Sequence, residues 1–321
     1  MKSIQIEFLH LLKDTWQTAW KVLKIIIPVS IIVKIFDLLG FIDVLGKWLS
    51  PAMEMIGLPS SFGLICATTA SANIYSGIYV FLNYSDNQVF TQAQVTVLGT
   101  MMLIAHSLPL ELEVANRVGV KRWFMLSIRI FALFLAGFIL NNILKAGDWL
   151  QTKNIPVYPK PIKTTEFIWY KWVFEQVQNY AIIVLIIFTI LLIMKLLKKF
   201  GLIESIQNSL MPVLKMLGMS KEILPMTLVG MILGLVFGSA LIIKEKDENP
   251  SIHKKDFVYA MVLLGLCHAI IEDTLLLVGI GASVWGILVF RVIFSLIFTY
   301  IFVKISNTNF FKQYLHLITN K

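Results

Sequence analysis

Two stretches set ionisable residues in otherwise apolar sequence: His106, Glu111 and Glu113 followed by Arg129, and His268, Glu272 and Asp273 followed by Arg291. At the centre of a membrane-crossing helix such a residue costs at least roughly 2–3 kcal/mol, so it needs a partner or water. Imidazoles with carboxylates can relay protons near neutrality or ligate zinc, manganese or ferrous iron. Guanidinium groups can grip a phosphate or carboxylate through paired donors. Four carboxylates and two Arg leave a charge of −2 with both His neutral, which two protons or one divalent cation would cancel. Two fixed cations nearby weigh against a metal. A plainer reading pairs Glu111 with Arg129 and Asp273 with Arg291 merely to fasten helices. His268 and Glu272, four apart, share a helix face, whereas His106 and Glu111, five apart, meet only if Pro109 breaks the helix. Asn73, in the small-residue run from Thr68 to Gly77, is a candidate ligand for a polar group, although an Asn in a span more often bonds a neighbouring helix.

The elements that must position these residues are apolar helices. The 321 residues are 57% hydrophobic and only 15% charged, where soluble domains carry roughly 25% charge. Mean hydropathy is +0.78. Since a crossing takes about 20 largely apolar residues, the length admits about eight spans and excludes an appended soluble catalytic domain. Apolar runs place these near 19–39, 60–82, 93–115, 122–143, 177–198, 222–243, 256–279 and 281–304. The net charge of +9 comes mainly from Lys at the ends of those runs, which suits anionic headgroups and not nucleic acid. Cys66 and Cys267 lack the spacing of a disulfide framework or zinc knuckle. No P-loop, Gly-x-Ser-x-Gly elbow or His-Glu-x-x-His occurs, so neither enzymatic activity nor a cofactor is expected.

The chain reads as a duplication. Gly40, Asp43, Pro51, Met55 and Gly57 match Gly201, Glu204, Pro212, Met216 and Gly218 at an offset of 161, and His106, Glu111 and Arg129 match His268, Asp273 and Arg291 at 162. The expected organisation is an interfacial helix at 1–18, a first repeat at 19–144, a polar linker at 145–171, a second repeat at 172–304 and an interfacial tail at 305–321. Four full crossings per half would make the repeats parallel; a re-entrant or broken segment in each would invert them. Counts of Lys and Arg outside the spans are nearly equal for the two arrangements. The proline break beside Glu111 and Glu113 favours inversion.

A long apolar helix, the segment Lys47-Trp48-Leu49-Ser50-Pro51 running to Met55-Ile56-Gly57-Leu58-Pro59, and apolar helices rich in small residues together resemble the nucleoside recognition (Gate) family. That family includes spore maturation membrane proteins and the membrane gates of ferrous iron transporter B. The resemblance implies an all-α polytopic membrane protein with paired gates, and it carries over no individual site residue. The GTPase domain of the iron transporter is absent from this sequence, which removes the strongest reason for an iron assignment.

The expected function is transport or lipid flipping in the bacterial cytoplasmic membrane, driven by an ion gradient. The cargo would be an anionic or nucleoside-like small molecule or a lipid phosphate. A divalent metal transporter and a non-transporting membrane assembly partner are the alternatives. Expected partners are membrane lipids, the substrate and, as one option, further copies of the chain.

Overall fold

A computed structural model describes residues 2–39, 41–84, 89–158, 168–248, 252–308 and 315–319. These residues are helical apart from connections and two isolated β-bridges. The first half comprises α1 (Lys2–Leu38), α2 (Phe41–Ile56), α3 (Ser61–Ser71), α4 (Ile74–Tyr84), α5 (Gln92–Ile104), α6 (Leu108–Val118) and α7 (Arg122–Ala146). The second comprises α8 (Trp169–Lys199), α9 (Leu202–Lys215), α10 (Ile223–Leu233), α11 (Leu235–Glu248), α12 (Lys254–Leu266), α13 (Glu272–Val278) and α14 (Trp285–Ser306), whose first six residues are π-helical. A short α15 (Leu315–Ile318) follows. Each element of the first half has its counterpart in the second, in the same order.

Four helical stretches have the length and apolarity of a membrane crossing: Gln92–Val118, which is α5 and α6 together, then α7, α8 and α14. By correspondence, α1 and α12–α13 complete three crossings in each half. The apolar runs near 60–82 and 222–243, expected as single crossings, are instead helical hairpins. A Cβ added to Gly230 would lie 3.1 Å from the Cα of Gly238, whereas residues eight apart on one continuous helix stand about 12 Å apart. Gly77 lies against the side chain of Thr69 in the same way, at the corresponding position of the first hairpin. An 11-residue helix such as α3 or α10 is about 16 Å long, roughly half the hydrocarbon core. These hairpins therefore enter the membrane and return.

With three crossings per half the repeats are inverted, and the packing of α7 on α14 shows it. Phe124 packs against Phe302 at 5.7 Å and Phe131 against Phe298 at 6.2 Å between ring centroids, the rings tilted, and Leu140 approaches Gly286. As α7 advances α14 recedes, so these two equivalent helices are antiparallel. The contacts 124–302 and 140–286 interchange under the 162-residue offset, as a pseudo-two-fold axis across the helices requires. The connections agree. On one face Thr91 bridges Lys153, Asn154 N donates to Phe90 O at 2.9 Å and Val157 N to Gly279 O at 2.8 Å. On the other, Val120 bridges Thr319 and Lys121 N donates to Ile318 O at 2.9 Å.

Two boundaries differ from expectation. Residues 2–18 are not a separate interfacial helix but the start of α1, and the part of the linker at 147–158 is bonded to the connections before α5 and after α13. The segments 159–167 and 309–314, with Pro159, Pro161, Phe310, Phe311 and Tyr314, lie outside the described residues, as does Gly40. The amphipathic α2 and α9 each end before a glycine with positive φ, Gly57 at 82° and Gly218 at 71°. That left-handed conformation closes a helix without a Cβ clash.

Candidate functional site

Both crossings that carry His are broken beside it. Between α5 and α6 the chain turns at Ala105–Ser107 with Ser107 at φ 50°, and between α12 and α13 it turns at Cys267–Ile271 with Ala269, its counterpart, at φ 45°. Neither is glycine, so each break carries a left-handed residue at a cost of about 1–2 kcal/mol. Pro109 occupies the first turn of α6, where its missing N–H costs nothing. The tip of each hairpin is tied to the adjacent break: Ser107 N donates to Thr69 O at 3.0 Å, and Ile270 N to Met231 O at 2.9 Å.

A break inside the membrane frees backbone carbonyls, and the two Arg answer them. Arg129 Nε donates to Ile104 O at 2.9 Å and Nη2 to His106 O at 3.2 Å. Arg291 repeats this on Leu266 O at 3.1 Å and His268 O at 2.8 Å. Both Arg are 1% exposed. The remaining Nη1 of Arg129 donates to Glu111, whereas Nη1 of Arg291 has no hydrogen-bond partner, and neither has Oδ2 of Asp273. Asp273 is one methylene shorter than Glu111, and its arginine follows a π-helical turn absent from α7. The two halves thus hold one closed and one open copy of the same arrangement.

At the axis the imidazoles meet, His106 Nε2 lying 3.1 Å from His268 Nε2. Each Nδ1 faces the carbonyl four residues back, Met102 O at 3.3 Å and Leu264 O at 2.7 Å. A carbonyl only accepts, so each Nδ1 carries the proton. Two neutral rings would then point lone pairs at one another, which a proton held between them relieves. Glu111 Oε1 faces both rings, at 3.3 Å from His106 Nε2 and 3.4 Å from His268 Nε2, and Asp273 Oδ2 is 3.7 Å from His106 Nε2. Ligand atoms of His106, His268 and Asp273 lie within 4.8 Å of one another, a spacing one metal ion could span.

Three expected residues lie elsewhere. Glu113 is outside the cluster, partly exposed, with Arg122 at 2.5 Å and Arg117 at 3.7 Å. On the helix that α6 forms, two positions from Glu111 turns the side chain about 200° away. Asn73 Oδ1 accepts from Ser76 N at 2.8 Å and Ser76 Oγ at 3.1 Å, so it caps α4 at the hairpin turn. Glu272 hydrogen-bonds Tyr75 of α4 and stands beside the cluster. The carbonyl role of the two Arg was missed in the sequence, although their shared offset marked them. Missed too were Glu175, Gln176 and Asn179, buried polar residues inside the apolar α8.

No family model and no solved structure matches the chain. It is 27% identical over 305 residues to the uncharacterized membrane protein YvoD of Bacillus subtilis (strain 168), covering 93% of this chain and 94% of that one. This chain is a polytopic integral membrane protein, and the likeness extends through both repeats.

Proposed function

We propose that the chain is a proton-coupled secondary transporter in which two inverted, gate-like repeats share one proton on the His106–His268 pair. The carrying observation is the 3.1 Å approach of the two Nε2 atoms with each Nδ1 held by a carbonyl. The charged groups facing the pair are Glu111 from α6, Asp273 from α13, Arg129 from α7 and Arg291 from α14, and their formal charges cancel. With Glu272 ionised the sum is −1, which one proton neutralises. The expected grip of both Arg on an anion loses support, because each nitrogen of Arg129 already donates a hydrogen bond and Arg291 keeps only Nη1 without a partner. The repeat architecture fits the Gate-family resemblance.

A divalent metal ion as cargo is the second reading, favoured by the spacing of His106, His268 and Asp273. It would bring the charge at the site to +1 beside two guanidinium groups.

Charge supports one orientation. Once the hairpins are removed from the count of crossings, the face at the start of α1 collects, among the described residues, Lys2, Lys13, Lys21, Lys24, Arg117, Lys121, Arg122, Lys195, Lys198, Lys199, Lys215, Lys221, Lys244, Lys246, Lys254, Lys255 and Lys304; the opposite face holds Lys34, Lys47, Lys145, Lys153 and Lys171, with Lys160 and Lys163 outside the described residues. By the positive-inside rule the first face is cytoplasmic, in a bacterial inner membrane.

The test is reconstitution in vesicles with an imposed proton gradient, assaying anionic solutes, nucleosides and divalent metal ions, with nitrogen-15 spectra of labelled histidine. The proton reading expects gradient-driven accumulation that His268→Asn abolishes, and one Nε2 proton shared by two rings. Accumulation of a metal ion by the unmodified protein without proton countermovement would favour the second reading.

A further inference from the structure

Three buried polar atoms on α8 lack a hydrogen-bond partner. Glu175 and Asn179, one turn apart on α8, are 7% and 6% exposed, and Glu175 Oε1 and both amide atoms of Asn179 make no hydrogen bond. A buried polar atom without a partner costs about 1–3 kcal/mol, so protein interiors place water beside such groups. Room for it exists. Asn179 lines a cavity of about 30 Å³ with Tyr75, Tyr79 and Tyr158 among isoleucine and leucine side chains, and about 10–15 Å³ suffices for one water. The wall continues toward the axis: Tyr79 donates to Gln176 at 2.6 Å, Tyr75 bonds Glu272, and Asp273 next in sequence presents its unpartnered Oδ2 to His106.

The other half differs: Glu175 and Asn179 correspond to Asp14 and Thr18, but Asp14 is exposed rather than buried. The counterparts of Tyr79, Gln176 and Glu272 are Ala240, Thr15 and Leu110, and the Thr15 hydroxyl is bonded to Leu11 O at 2.8 Å. In a molecule whose His, Arg and carboxylates repeat so closely, a polar route present on one side alone is a functional difference.

We propose that the space between α4, α8 and α13 is a water-filled half-channel joining the face of the 147–158 connection to the His106–His268 pair, lined by Asn179, Tyr79 and Tyr75, with Glu175 and Glu272 flanking it along the chain. It rests on the proposed function for its destination, and its existence can be tested separately. On the assigned orientation it opens to the outside, where an inward proton gradient supplies protons.

The experiment uses a Cys66→Ala, Cys267→Ala background in sealed vesicles of both orientations and a small, membrane-impermeant methanethiosulfonate ammonium reagent. Asn179→Cys is expected to react from the same side as Lys153→Cys. It should do so at least about tenfold faster than Val177→Cys, which faces lipid at the same depth and stays protonated there. Ile183→Cys, deeper in the cavity wall, serves if Asn179→Cys does not fold. Radiolytic hydroxyl labelling of the unmodified protein reads water directly: Tyr75 and Tyr79 oxidise, whereas Tyr259, 1% exposed in the second half, does not. Labelling from the Lys199 side, rates equal to Val177→Cys, or unoxidised Tyr75 and Tyr79 each overturn the half-channel. If His268→Asn leaves labelling intact while proton-coupled uptake also survives, the half-channel stands and the proton role of the His pair falls.

Discussion

Glu111 and Asp273 occupy equivalent positions, yet only the longer side chain reaches its arginine. Asp273→Glu adds one methylene, about 1.5 Å of reach, and is expected to close the second pair as the first is closed. A hydrogen bond to a charged group contributes about 1.5–3 kcal/mol, so the melting temperature in detergent should rise by several degrees while gradient-driven uptake falls. An unchanged melting temperature would show that Arg291 already has a partner in the membrane. The first pair behaves otherwise. Arg129→Leu alone strands Glu111 and should cost roughly 3–5 kcal/mol. Adding Glu111→Leu should recover only part of this, since Ile104 O and His106 O still lose their donor. Full recovery in thermal unfolding would reduce Arg129 to a plain helix fastener.

At the scale of elements, the hairpins depend on backbones that touch. A Cβ at Gly238 would press on the backbone of Gly230, so Gly238→Ala is expected to destabilise by about 1–3 kcal/mol, whereas Gly218→Ala meets no atom within 4 Å and carries only the penalty of its positive φ. Comparing the two in thermal unfolding separates close approach from backbone strain. These hairpins were not legible in the sequence. Residues 60–82 form one apolar run of crossing length, and nothing in its hydropathy shows that Thr69 and Gly77 allow it to fold back. The proline break was legible, because Pro109 precedes two carboxylates in apolar surroundings. The partners of the two Arg were not, because a carbonyl freed by a break has no residue type to announce it. Glu113 was drawn into the site by proximity along the chain, and helical rotation took it out.

For the whole molecule, three crossings per half place the 147–158 connection opposite the chain termini, whereas four would place them together. Lys153→Cys and Lys246→Cys should therefore react with an impermeant maleimide from opposite sides of the membrane in intact cells and inverted vesicles. Labelling of both from one side would restore parallel repeats. The duplication was visible in residues separated by 161 and 162 positions, and its sense followed once two apolar runs ceased to count as crossings.

The distribution of Lys also bears on how the chain is inserted as it is made. The first half emerges with Lys2, Lys13, Lys21, Lys24, Arg117, Lys121 and Arg122 toward one face and Lys34, Lys47, Lys145 and Lys153 toward the other, a modest instruction about which way to enter. The second half brings Lys195, Lys198, Lys199, Lys244, Lys246, Lys254 and Lys255 on one face against Lys171 near the other. Later charges can set the orientation of earlier helices. The second half, once translated, is therefore expected to reinforce an orientation that the first half sets only modestly.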